Sequence, residues 1–96
     1  MTLRPAETVQ MRGASGRMHT LQKIVLTEGE QALSHDGQES FRCDPVRRGE
    51  RVAVLAPVTR TLVAGTRAEV DDEIARRGLT ERRRPRYDDA VSERDD

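Results

Sequence analysis

At 96 residues the chain has room for one domain, and 17 basic against 17 acidic residues leave no formal net charge. Charged residues make up 35% and apolar ones 34%, with a mean hydropathy of −0.78, so no stretch approaches the length of a membrane-spanning helix. That balance argues against a strongly basic nucleic-acid binder, and with Phe41 and Tyr87 the only aromatic residues, any core must rest on Val, Leu and Ile.

Glu7 to Arg12 alternates polar and apolar residues, as does the stretch from Arg17 toward Leu21. Gly13-Ala14-Ser15-Gly16 lies between them, and its glycines reach the backbone conformations that a hairpin turn demands. His19–Thr27, with the run Ile24-Val25-Leu26, predicts a stronger strand. Residues 28–35 admit two readings. Asp36-Gly37 favours a hairpin pairing Glu30–His35 with Gln38–Cys43, whereas Thr27-Glu28-Gly29-Glu30 has the spacing of a capping box and would start a short helix. The hairpin is preferred, because Gly29 in a first helical turn costs about 1 kcal/mol relative to Ala.

Beyond the turn Arg47–Glu50, Arg51–Leu55 and Thr61–Ala64 are predicted to pair antiparallel across a short link containing Pro57. Residues 66–78 predict a helix. Thr66 and Glu69 form a capping box, acidic residues sit early and Arg76 and Arg77 late, and Gly78 stands where a left-handed terminator belongs. Asp72–Arg76 and Glu73–Arg77 have the spacing of helical ion pairs, and Val70 and Ile74 share a face. The apolar pattern ends at Leu79. Residues 80–96, broken by Pro85, are too charged to bury enough surface to offset ordering.

The fold expected is mainly β with one helix (α+β): a small antiparallel sheet, or an open barrel of hairpins, with the C-terminal helix packed on it. Residues 1–17 form an N-terminal arm able to serve as an edge strand, 18–79 the module, and 80–96 a disordered charged tail. Ile24, Leu26, Leu33, Phe41, Val52, Val54, Leu62, Val70 and Ile74 are the predicted core.

Few constellations carry chemistry. Cys43-Asp44-Pro45-Val46 and the turn after it resemble the segment following a zinc knuckle in treble-clef fingers, over residues 43–79. The resemblance implies a hairpin and a helix, but there is no CxxC, and Thr66 and Arg67 stand at the helix start where ligands belong. His19, His35, Cys43 and Asp44 therefore predict no metal site. Ser34-His35-Asp36 are consecutive, which is not the geometry of a catalytic triad, and Cys43 with either histidine lacks a surrounding signature. Gly13–Gly16 lacks the Gly-Lys-Ser/Thr of a phosphate-binding loop. No catalytic residue and no cofactor are predicted.

Arg82, Arg83, Arg84 and Arg86, with Tyr87 beside them, form the one basic cluster suited to phosphates and base stacking, although Asp88 and Asp89 come immediately after. Cys43, the only cysteine, excludes an intramolecular disulfide, and the opening residues lack the apolar run of a signal peptide. The expectation is a cytoplasmic, non-enzymatic binding or adaptor module with a protein partner or a second copy of itself, and no membrane. A nucleic-acid-associated role for the 82–86 arginines is the alternative.

Overall fold

The structure, a computed structural model, describes residues 3–84. In chain order the elements are β1 (Arg4–Pro5), β2 (Glu7–Arg12), β3 (Met18–Leu26), β4 (Gln31–His35), β5 (Ser40–Cys43), β6 (Val52–Pro57), β7 (Thr61–Gly65), α1 (Arg67–Arg77) and β8 (Glu81–Arg84). The strands form a five-stranded sheet ordered β1-β7-β4-β5-β8 and a three-stranded sheet ordered β2-β3-β6, which do not close into a barrel. All pairings are antiparallel except β5 with β8.

Both hairpins form where the turn residues place them. β2 and β3 pair from Glu7↔Lys23 to Arg12↔Met18, closed by a turn in which Gly16 takes a φ of 94°. β4 and β5 pair across Asp36–Glu39, where Asp36 Oδ1 accepts from the Gln38 and Glu39 amides. The capping-box spacing at 27–30 is used without a helix. Glu30 Oε1 accepts from the Thr27 amide and hydroxyl, which closes a tight turn before β4.

One expected pairing is overturned. β6 and β7 are not partners: β6 pairs with β3 in one sheet and β7 with β4 in the other. The turn after Pro57, closed by the Arg60 amide on the Pro57 carbonyl, carries the chain from sheet to sheet. Crossing lets both segments bury their apolar alternation, since Ile24, Leu26, Val52, Val54 and Ala56 meet Ala32, Cys43, Leu62 and Ala64 in one cluster between the sheets. The ribbon implied by the treble-clef resemblance is therefore absent.

The helix obeys its end signals closely. Thr66 Oγ1 accepts from the Glu69 amide, Glu69 returns the bond to the Thr66 amide, and Gly78 is left-handed with φ 64°. Its buried positions are Val70 and Glu73, while Ile74 is only half-buried, so the expected Val70/Ile74 face is rotated. Arg77 pairs with Glu73 as the spacing predicts, but Arg76 also turns to Glu73 rather than to Asp72. Phe41, expected inside, is half-buried under the Arg60 guanidinium, 5.0 Å from its ring.

The ordered chain also runs past Leu79. Residues 81–84, expected in the disordered tail, form β8 on the open edge of β5. Their charges are matched there: Glu81 meets Arg42, Arg82 lies 3.8 Å from Glu39, and Arg83 lies 3.5 Å from Asp44. Residues 85–96 of the predicted tail lie outside the described residues.

Candidate binding surface

Strand alternation disperses the side chains that sequence reading groups together. Arg82 lies opposite Phe41 and Arg83 opposite Arg42, so these two cations project to opposite faces of the five-stranded sheet. Arg84 ends the same strand beside Cys43; Arg86 and Tyr87 lie outside the described residues. Cys43 is 2% exposed in the core between the sheets. His35 lies on the opposite side of its sheet, toward α1, and His19 is on the three-stranded sheet. Cys43 thus lies in a different layer from either imidazole. Ser34 and His35 alternate across β4, and the Asp36 carboxylate is engaged by its own turn. Among the described residues no group of three or more His, Cys, Asp or Glu is placed to hold a metal ion.

A polar layer separates α1 from the five-stranded sheet. Arg42, 5% exposed, donates to Gln31 Oε1 at 3.1 Å, to Asp71 Oδ1 at 2.5 Å and to both oxygens of Glu81. Each of its outward directions ends on an acceptor, which is what a buried guanidinium requires. Glu73, 3% exposed, is held between Arg76 and Arg77. His35 is buried nearby, its Nε2 without a hydrogen-bond partner. Burial and the neighbouring Arg77 push its pKa below the ordinary histidine value, against the opposing pull of Glu73 and Asp36. A groove of about 550 Å³ opens beside it, lined by Asp36, Thr59, Thr61 and Arg77. Its charges are already engaged, Arg77 by Glu73 and Asp36 by its turn and by Arg60 3.8 Å away. The layer has the chemistry of a structural network.

The three-stranded sheet presents a different surface. Its even-numbered residues from 22 to 26 on β3 and from 52 to 56 on β6 face the core, so by alternation the odd-numbered ones face outward. Register places Val9 beside Leu21 and Pro57, Met11 beside His19, Lys23 beside Leu55, and Val25 beside Ala53. An antiparallel sheet with one wet face ordinarily alternates apolar-in and polar-out, and here the outer set is itself mostly apolar. The elements that pack on this sheet, β4 and β7, do so from the other side. Val25 is 37% exposed, and Leu21, Lys23, Ala53 and Leu55 around it are half-buried. β2 forms one margin of this surface.

Sequence reading alone does not mark this surface, although a signal is there. Ile24-Val25-Leu26 and Val52–Ala56 are apolar at both phases of a two-residue repeat, more than a strand with one buried face needs. No protein-family model matches the chain, and neither a curated protein nor a solved structure does.

Proposed function

We propose that the chain is a non-enzymatic protein-binding module, an adaptor or a subunit of a larger assembly, that works through the outer face of its three-stranded sheet. The observation that carries this reading is the apolar outer set of Val9, Leu21, Val25, Leu55 and Pro57, arranged around the cation Lys23. Contiguous apolar patches on a small soluble protein mark interaction sites, because leaving them in water forfeits about 25 cal/mol for every Å² that a partner would cover. The buried lone Cys43 suits a reducing compartment such as the cytoplasm. Among the described residues no helix is long and apolar enough to cross a membrane. The nucleic-acid alternative draws less support, since Arg82 and Arg83 diverge across their sheet and each faces a carboxylate.

The test is affinity capture from the native host with the wild-type chain and with a Leu21→Thr/Leu55→Thr variant, which keeps β-forming residues at both positions. The wild type should retain a protein that high salt does not release, and the variant should lose it while melting at a similar temperature. Retention that is unchanged in the variant defeats the reading. Retention that is abolished by salt and competed by oligonucleotides transfers the function to the arginines.

A further inference from the structure

One margin of the same sheet, the β2 edge, specifies a partner of its own. β2 ends the three-stranded sheet, with β3 on one side and no strand on the other among the described residues. The Gly13 amide donates to the Arg17 carbonyl at 2.8 Å, which fixes Gly13/Arg17 as a hydrogen-bonded pair. Antiparallel ladders alternate, so Met11, Val9 and Glu7 direct their backbone groups to β3. Thr8, Gln10 and Arg12 therefore turn theirs outward. The strand has no proline, no bulge in its register with β3 and no lysine, and its two charged residues, Glu7 and Arg12, stand at its ends and leave the middle of the edge uncharged.

We propose that this edge pairs antiparallel with β2 of a second copy, with Gln10 opposite Gln10 at a two-fold axis normal to the sheet. This goes beyond the protein-binding reading above, since edge pairing leaves the outer face of both copies uncovered. The outward backbone groups sit on even-numbered residues, so the hydrogen-bonded pairs across the axis are Gln10 with Gln10 and Thr8 with Arg12. Val9 then stands opposite Met11, and a two-fold in this direction keeps the apolar outer faces of both copies on one side. The result is a continuous six-stranded sheet with a doubled apolar face.

Charge argues for a second copy. Glu7 and Arg12 stand at opposite ends of a strand with no net charge, so antiparallel self-pairing brings the acidic end of each copy to the basic end of the other. The whole chain is also formally neutral, and two copies approach without long-range repulsion. The contact is isologous, since each residue meets its counterpart through the same operation.

Sedimentation over about a hundredfold range of concentration, with Gln10→Lys, Gln10→Glu and an equimolar mixture of the two, tests the register as well as the contact. Gln10 is exposed, so both variants should fold, which near-identical circular dichroism and melting would verify. The wild type should form a dimer. Each charged variant, placing like charges face to face, should associate about tenfold more weakly, and the mixture should recover a heterodimer. A wild type that is monomeric throughout overturns the inference and leaves the adaptor reading to its own capture experiment. A dimer indifferent to both charges also overturns it, because the contact then lies elsewhere.

Discussion

The two sides of the five-stranded sheet are built on different physics. Toward the three-stranded sheet it presents Ala32, Leu62, Ala64 and Cys43, together with the buried Ser34, to Ile24, Leu26, Val52, Val54 and Ala56. Toward α1 it presents Gln31, His35, Ser40 and Arg42, and the fully buried apolar residues of that layer are Leu33 from the sheet and Val70 from the helix. One layer is stabilised by area removed from water and by close packing, terms that neither pH nor salt changes much. The other holds charges out of water and tolerates them only because each finds an opposite charge or an acceptor. A single sheet therefore carries a permissive side, which accepts apolar residues of the right size, and an exacting side, where one missing partner matters.

The largest effect should come from the apolar side. Leu26, fully buried, should cost about 2–5 kcal/mol when replaced by alanine, read as a shift in the urea midpoint and of similar size at pH 5 and pH 8. A loss below about 1 kcal/mol would mean that the two sheets do not pack as described.

The exacting side should show an asymmetry. Glu81→Ala removes two hydrogen bonds from the Arg42 guanidinium, leaving it Asp71 and Gln31, and should cost about 1.5–3 kcal/mol, the worth of hydrogen bonds to a buried charge. Arg42→Met should cost less, because Glu81 and Asp71 have side chains 25% and 49% exposed and rehydrate, while methionine keeps much of the buried volume. If denaturation curves rank the two the other way, the layer is not organised around Arg42.

The smallest effects should appear on titration. His35 is held below its unfolded pKa, so its contribution is fully present above about pH 6.5 and is lost as pH falls from there toward the folded value, the window in which the unfolded chain takes up the proton and the folded chain does not. His35→Gln should flatten the stability profile in that window. A second window lies lower. Glu30, which accepts from Arg4 at 2.7 Å and from Thr27, is held down to about 2 chiefly by the arginine. Its contribution is present above about pH 4.5 and fades toward pH 2, and Arg4→Ala should shrink it. A profile unchanged in both variants would assign the acid sensitivity to other groups.

Local chemistry was legible where a signal acts within a few residues. The Thr66/Glu69 box, Gly78, and the turns at 13–16 and 36–37 all determine structure through bonds that their own neighbours complete. The β6–β7 crossing was not, because a short link with Pro57 suits a hairpin equally well, and only the distant match with β3 decides. β8 was hidden for a similar reason: its charges argue for solvent until Arg42, Glu39 and Asp44 stand opposite them. The buried Glu73 likewise depends on two arginines closing over it. As for the candidate surface, the sequence marked residues 1–17 as an arm able to serve as an edge strand, but it offered no means of telling the outer face of β3 and β6 from the inner one.

The placement of β1 and β8 bears on how the chain reaches this state. Both margins of the five-stranded sheet come from the two ends of the described chain, Arg4 pairing with Ala64 and Glu81 with Ser40. Of the six strand pairings, only β2–β3 and β4–β5 join neighbours in the chain. The remaining contacts wait on loop closures whose entropy is lost before the contacts compensate for it, which places folding in the slower regime, on the order of milliseconds to seconds. The two hairpins are the units able to form early, and during that interval the β2 edge already exists while β6, which completes its sheet through a long-range pairing with β3, has yet to arrive.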